Sequence, residues 1–405
     1  MDMPFDTHNL RPKRIALFSG NYNYVMDGPV RALNTLVGFL EEQGIEVLVF
    51  APTAKKAAFR HKGTLVSIPS IALPGSRSEY RLGLGLPRRV KRQLEAFQPD
   101  LVHLAAPDIL GWRALSWAKK HKVPAVASFH TRFDTYGRYY HLGWLEKYVT
   151  ALMRKFYHRC EQVYVPSECM KEILAEQDMA PDLRIWSRGV DTEQFNPGRR
   201  DTKWRRENGI ADGDVVISFV GRLVLEKGLG VFADTLDELK RRGVPYKALI
   251  VGDGPERERF GERLPEAVFT GYLQGDALAR AYASSDIFFN ASITETFGNV
   301  TLEAMACAVP AVCADATGSR SLVSSGENGY LVEPGNITAF ADRLQTLITD
   351  TALRETMSAT CLAMSADRTW DAVLNRLLEN YGEAVAKYPD RAWKGAQRQD
   401  FSAAE

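Results

Sequence analysis

Thr294-Glu295-Thr296-Phe297-Gly298-Asn299-Val300-Thr301-Leu302-Glu303-Ala304-Met305-Ala306 follows the apolar run 287–289, and its reading decides the fold. The run has the chemistry of a buried strand, Gly298 supplies a bend, and helical apolar spacing begins at about Asn299. Strand, glycine turn and helix in that order make a βα unit. The first amides of such a helix have no partner within it and, with the helix dipole, form an anion site. Glu295 on the loop is placed to accept hydrogen bonds from sugar hydroxyls. Glu303, in the second helical turn, is placed to hold a vicinal diol such as a ribose. The spacing alone is common, since Glu168/Glu176 and Glu258/Glu266 repeat it on ordinary helical stretches. The strand–glycine–helix context distinguishes this copy.

Outward from that unit the same alternation covers the chain. In the first half, strands are expected at 14–19, 46–50, 65–68, 101–104, 125–129, 162–165 and 184–186, with helices at 29–43, 88–97, 109–120 and 145–159. Continuously apolar strands such as Val47-Leu48-Val49-Phe50 suit a parallel sheet covered on both faces. The pattern restarts with strands at 215–220, 247–251, 267–270, 287–289, 311–313 and 330–332, and helices near 229–242, 276–283, 303–308 and 338–349. The turn-rich stretch Gly189-Val190-Asp191-Thr192-Glu193-Gln194-Phe195-Asn196-Pro197-Gly198 reads as the linker between the halves. The fold class expected is α/β, two doubly wound parallel-sheet domains in tandem with a cleft between them. Residues 1–190 form the first domain, 191–369 the second; a helix over about 370–390 is expected to pack back on the first, and 391–405 is a polar tail.

Length and charge narrow the function. A chain of 405 residues accommodates two domains of about 200. Fifty-one Lys+Arg against fifty Asp+Glu leave a net charge of +1, which excludes wholesale electrostatic binding of nucleic acid. No apolar run approaches the roughly 20 residues that span a bilayer, and the opening Met1-Asp2-Met3-Pro4-Phe5-Asp6 lacks the order of a secretory signal. A cytoplasmic location is expected. Cys160, Cys169, Cys307, Cys313 and Cys361 include no Cys-x-x-Cys pair and read as buried reduced thiols. The common phosphate-loop, dinucleotide-fingerprint, zinc-protease and nucleophile-elbow motifs are absent from the sequence. Asp212-Gly213-Asp214 sits just before a strand and reads as a turn rather than a metal–diphosphate site.

Further segments leave strands at the ligand-binding edge. Gly221-Arg222-Leu223-Val224-Leu225-Glu226-Lys227-Gly228 follows the first strand of the second half, and its two cations suit the charge of a departing diphosphate. Met26-Asp27-Gly28-Pro29-Val30-Arg31 follows the first strand of the chain. Asp27 suits a helix cap and Pro29 the first helical position, while Gly28 admits close approach of a ligand to backbone. Ser128-Phe129-His130-Thr131 places His130 where a strand ends. Arg77, Arg81, Arg88, Arg89, Lys91 and Arg92 face only Glu79 and are interleaved with Tyr80, Leu82, Leu84 and Leu86. A second basic stretch, 145–159, carries Lys147, Arg154, Lys155 and Arg159 with Tyr148, Phe156 and Tyr157. Each reads either as a solvated helix face or as an attachment surface for an anionic membrane.

Taken in order, Asp27-Gly28-Pro29-Val30-Arg31, Ser128-Phe129-His130-Thr131, Gly189 to Pro197, Gly221-Arg222 with Glu226-Lys227-Gly228, Val251-Gly252-Asp253-Gly254-Pro255 and Glu295 with Glu303 resemble a retaining glycosyltransferase of family GT4. The resemblance runs from about Arg14 to Tyr381, and Tyr136 to Leu145 is similar to sulfolipid-synthase-like and lipid α-mannosyl- or glucuronosyltransferase-like members. It implies the GT-B arrangement, two Rossmann-like domains facing a cleft, with the acceptor on the first and a nucleotide sugar on the second. It implies that Arg222 and Lys227 neutralise the diphosphate and that Glu303 binds the ribose. Glu295 and the Phe297, Gly298 and Asn299 amides would hold the sugar, His130 would contact its C6 side or reacting face, and Gly28 and Gly221 would let loops approach the donor. No metal and no cofactor beyond the donor is implied. Pro29 departs from the family pattern by removing an amide where many relatives have a small residue, which changes the contact of that loop.

The implied activity is a metal-independent hexosyltransferase using UDP-glucuronate, UDP-glucose or GDP-mannose, with a membrane lipid such as diacylglycerol as acceptor and a peripheral place on the inner face of the plasma membrane. Transfer to a polysaccharide or soluble acceptor, and a GT-B nucleotide-sugar 2-epimerase, are the alternatives.

Overall fold

The structure, a computed structural model, describes residues 11–25, 28–54, 57–73, 80–129, 146–295 and 297–389. His130, Asp27, Arg77, the 136–145 stretch and the 391–405 tail lie outside the described residues. The chain forms two compact units, residues 1–187 with 373–405, and residues 188–372.

The first unit runs β1 (Arg14–Phe18), α1 (Gly28–Glu42), β2 (Glu46–Pro52), β3 (Thr64–Ile68), β4 (Ser70–Ala72), β5 (Arg81–Gly83), α2 (Arg88–Phe97), β6 (Leu101–Leu104) and α3 (Ile109–Lys120). It continues through β7 (Ala125–Ser128), α4 (Glu146–Tyr157), β8 (Gln162–Val165), α5 (Glu168–Glu176) and β9 (Leu183–Ile185). Seven strands lie in the order β3-β2-β1-β6-β7-β8-β9 and pair in parallel. β1, β6, β7 and β8 are buried along their whole length, as strands covered by helices on both faces must be. Phe18 opposes Phe50 across β1 and β2, and their rings stack at 4.7 Å.

The second unit runs α6 (Thr202–Glu207), β10 (Val216–Val220), α7 (Leu229–Arg241), β11 (Lys247–Val251), α8 (Arg257–Arg263), β12 (Val268–Gly271), α9 (Gly275–Ala283) and β13 (Ile287–Asn290). Then follow α10 (Asn299–Ala306), β14 (Ala311–Ala314), β15 (Gly329–Val332), α11 (Ile337–Thr349) and α12 (Thr351–Ala366). Its six parallel strands take the order β12-β11-β10-β13-β14-β15. The chain therefore builds outward from β10 in one direction and returns to β13 to build in the other. That reversal between β10 and β13 creates a crevice at their carboxyl ends.

The final helix, α13 (Trp370–Ala386), crosses into the residues of the first unit. There the Tyr381 hydroxyl meets His103 Nδ1 at 2.5 Å, and His103 Nε2 meets Ser128 Oγ at 3.0 Å. Complete burial pushes the His103 pKa down to about 3, so the imidazole is neutral and serves as a hydrogen-bonding bridge. Arg184 secures the same helix through Asn380 at 2.8 Å and Glu383 at 2.5 Å.

The structure departs from the sequence reading in several places. The short antiparallel ribbon β4–β5 and the helix α12 carry no strong periodic signal. α10 begins at Asn299, where the strand–glycine–helix reading places it, and ends at Ala306; the 303–308 range taken from the alternation is too late, because Gly298 O already accepts from Thr301 and Leu302. Asp212-Gly213-Asp214 is a turn in which Asp214 accepts from the Ala211 amide and Asp212 pairs with Arg206. All five cysteines are free; four are buried, but Cys169 is partly exposed.

Candidate active site

The crevice between β10 and β13 gathers the charged residues singled out from sequence. β10 delivers Gly221 through Lys227, and β13 delivers Ser292 through Glu295 and then α10. Serine and threonine hydroxyls tie these two loops together: Ser292 Oγ and Thr294 Oγ1 both donate to Glu226 O at 3.3 Å. Across the same junction Lys227 Nζ donates to Glu295 Oε1 in an ion pair.

The β10 loop is braced from behind. Val251 O accepts from Gly221, Asp253 O accepts from Leu223, and Leu223 O accepts from Glu256, with N···O distances of 3.0, 2.9 and 3.1 Å. The Val251–Pro255 motif thus fixes the backbone that carries Arg222. The Arg222 side chain is exposed, and its guanidinium makes no hydrogen bond or ion pair with another described residue. A rigid backbone under an uncommitted guanidinium suits an anionic ligand.

Gly298 enters α10 with φ of 93°, a left-handed conformation that a side chain would resist. No side chain caps this helix, and among the described residues nothing accepts from the Gly298, Asn299 or Val300 amides. Free amides, Lys227 and Arg222 make this edge of the unit strongly attractive to phosphate. The Phe297 side chain turns the other way and is buried with Leu302 and Leu322 in the core, which anchors the loop while leaving the backbone for ligand.

Glu303 lies one turn further along α10 at 8% exposure. The Tyr282 hydroxyl, from α9, donates to its Oε2 at 3.1 Å and so fixes the carboxylate. Burial, with Glu303 adding, pushes the neighbouring Cys307 thiol up to about 12, so it remains protonated.

The structure therefore brings together Gly221, Arg222, Lys227, Glu295, Phe297, Gly298, Asn299 and Glu303 within the second unit. Gly28 opens α1 in the first unit and is exposed, while His130 is outside the described residues. Two supporting residues escaped the sequence reading. Tyr282 carried only the signal of an aromatic on a buried helix face. Gly318 lies against Glu295: a Cβ there would come within 2.8 Å of Glu295 Cβ and O.

The basic stretches also resolve differently. In α2 the side chains of Arg88, Arg89, Lys91 and Arg92 are exposed while Val90, Leu94 and Phe97 are buried. In α4, Phe156 and Tyr157 are core residues rather than part of a surface face. Arg154 there donates to Gln177 O, and Arg159 lies over the Trp112 ring, so both cations already have internal partners.

A doubly wound unit with phosphate-directed cations, open helix amides and two carboxylates at its switch point defines a nucleotide-sugar-type transferase. The first half of the chain, residues 26–194, matches Glycosyltransferase Family 4, and residues 200–361 match Glycosyl transferases group 1. The chain belongs to the family 4 glycosyltransferases. It is 32% identical to sulfoquinovosyl transferase SQD2 of Arabidopsis thaliana over 93% of this chain and 74% of that protein. It is 34% identical to a GDP-mannose-dependent alpha-mannosyltransferase of Mycolicibacterium smegmatis, over 94% of this chain and all of that protein. With an alpha-monoglucosyldiacylglycerol synthase of Streptococcus pneumoniae it shares 28% identity over 78% of this chain and 75% of that protein. Among solved structures, sucrose-phosphate synthase of Thermosynechococcus elongatus matches with a TM-score of 0.75 and 19% identity, covering 93% of this chain and 100% of that one, which shows the shared GT-B fold.

Proposed function

We propose that this glycosyltransferase moves a hexosyl or hexuronosyl group from a nucleotide-diphosphate sugar to the hydroxyl of a membrane lipid, diacylglycerol being the first candidate. The observation that carries the acceptor assignment is on the first unit. Ile71 and Leu84, each 53% exposed, sit on the β4–β5 ribbon and its exit, directly before the uncommitted cations of α2. Ile109, 45% exposed, lies against the same exit at Gly85. Exposed apolar side chains on the ribbon that leads into Arg88, Arg89, Lys91 and Arg92 are the chemistry of a surface that rests on anionic lipid, each cation contributing about 1 kcal/mol near such a surface. Among the described residues no helix is long and apolar enough to cross a membrane. The similarity to a diacylglycerol-glucosylating enzyme points the same way.

In the mechanism that follows, Arg222, Lys227 and the α10 amides hold the diphosphate and stabilise the negative charge that grows as it leaves. Glu303, fixed by Tyr282, holds the ribose, and Glu295 holds the sugar. The bond from the anomeric carbon to the phosphate oxygen breaks as the acceptor oxygen bonds from the same face, retaining the anomeric configuration. The acceptor's proton passes to the departing phosphate oxygen. No metal ion or cofactor has a part in this scheme.

Incubating the protein with UDP-glucuronate, UDP-glucose and GDP-mannose, with and without vesicles containing diacylglycerol and anionic lipid, tests the reading. Nucleoside diphosphate and a glycolipid formed only with vesicles support it. Release that requires a soluble glycan instead, or a 2-epimerised sugar formed with no acceptor, overturns it. Flotation on anionic vesicles should be lost at high salt and in a variant with Arg88, Arg89, Lys91 and Arg92 all changed to Glu.

A further inference from the structure

Asn290 ends β13 at the crevice and is 5% exposed. Its Oδ1 accepts from the Ser292 amide at 3.1 Å, but its Nδ2 is buried and has no hydrogen-bond partner among the described residues. Folded proteins leave few buried donors unpaired, because each costs about 1–3 kcal/mol. The placement of this one is informative. Side chains alternate across a strand. Phe289 stacks on Phe232 at 4.9 Å on one face of the sheet, and Phe288 meets Tyr282 at 6.1 Å on the other. Asn290 therefore shares the face of Phe288, where Tyr282 holds Glu303 and α10 begins. Its bond to Ser292 turns the amide forward along the loop that carries Glu295. At the start of α10, Asn299 Oδ1 is likewise buried and unpartnered among the described residues.

We propose that Asn290 Nδ2 is held for a hydroxyl oxygen of the donor's sugar, making Asn290 a sugar-recognition residue. The proposal rests on the reading of this crevice as the nucleotide-sugar site. The sugar is favoured over the diphosphate on charge. Arg222, Lys227 and the open α10 amides already meet the anionic oxygens, whereas a neutral amide on the Glu295 loop complements a neutral hydroxyl. Binding the sugar then satisfies a donor that the free protein leaves unpaired, so affinity is gained without breaking an internal bond.

Asn290→Leu tests this, with Asn290→Ser as the second variant should Leu disturb folding. The measurements are the KM for whichever of UDP-glucose, UDP-glucuronate or GDP-mannose the wild type uses, and the inhibition constant of the matching nucleoside diphosphate. The expected result is a KM about tenfold higher, as for one lost hydrogen bond, with diphosphate inhibition within about twofold of wild type. Unchanged KM overturns the proposal, since a purely structural amide has no reason to distinguish sugar from no sugar. Equal weakening of both ligands also overturns it, by assigning Nδ2 to the nucleotide. A wild-type protein that binds neither ligand would instead sink the donor-site reading itself.

Discussion

Arg222→Ala separates catalysis from folding more cleanly than any other change at this site. The Arg222 side chain is exposed and its guanidinium makes no hydrogen bond or ion pair with a described residue. Its removal should therefore alter folding stability by no more than about 0.5 kcal/mol, as surface changes do, and Tm by about 2 °C at most. Its proposed work is different: it meets charge that accumulates on the diphosphate as the glycosidic bond breaks. Loss of one well-placed stabiliser of that kind costs about 10²–10³ in rate, or roughly 2.7–4 kcal/mol of barrier. The charge is larger in the transition state than in the bound donor, so kcat should fall further than donor KM rises. Arg222→Lys should lie between, keeping charge but losing the planar fork. Release of nucleoside diphosphate in the presence of lipid vesicles, measured beside a thermal melt, provides the assay. Activity within about threefold of wild type, or a loss that tracks unfolding, would refute the reasoning.

Other changes test neighbouring parts of the argument. Glu295→Gln removes the partner of Lys227, so calorimetry should show nucleoside diphosphate bound as tightly as before or more tightly, while turnover falls at least about tenfold. Gly318→Val places a side chain within 2.8 Å of Glu295 Cβ and O; overpacking of about 1–3 kcal/mol should appear as a lower denaturant midpoint, with glycosyl transfer reduced beyond that. For His103, whose folded pKa is depressed to about 3, the unfolded chain binds the extra proton between about pH 3 and 6.5. Stability is then complete above the unfolded value and is lost as pH falls, by about 2 kcal/mol between pH 7 and pH 5. Asp108, raised to about 6 by burial, contributes the opposite slope. Comparing wild type with His103→Gln in urea at both pH values cancels that term, and equal pH dependence in the two proteins would contradict the assignment.

The parallel sheets were legible because their strands are short, largely apolar runs: β6, β8 and β11 begin and end at the residues expected from the sequence. β4 and β5 were not, since three-residue strands with exposed Ile71 and Ala72 have too little pattern to register. The ends of α10 were blurred because Asn299-Val300-Thr301 has weak helix propensity and is held helical by Gly298. Residue types at the strand exits identified the charged groups of the site, as Arg222, Lys227, Glu295 and Glu303 are polar where a doubly wound fold binds ligands. Their supports stayed hidden. Tyr282 and Gly318 act through proximity across the chain, and the unpaired amide of Asn290 becomes visible only once every neighbour has been placed. Aromatic residues Phe156 and Tyr157 misled in the other direction, because their helix buries the face that the basic residues border.

A crystal structure of the protein with the nucleoside diphosphate of its donor tests the central claim most directly. The account predicts phosphate oxygens within hydrogen-bonding distance of Arg222, Lys227 and the first amides of α10, with both ribose hydroxyls on Glu303. A nucleotide seated elsewhere, with those four groups left in solvent, would contradict it.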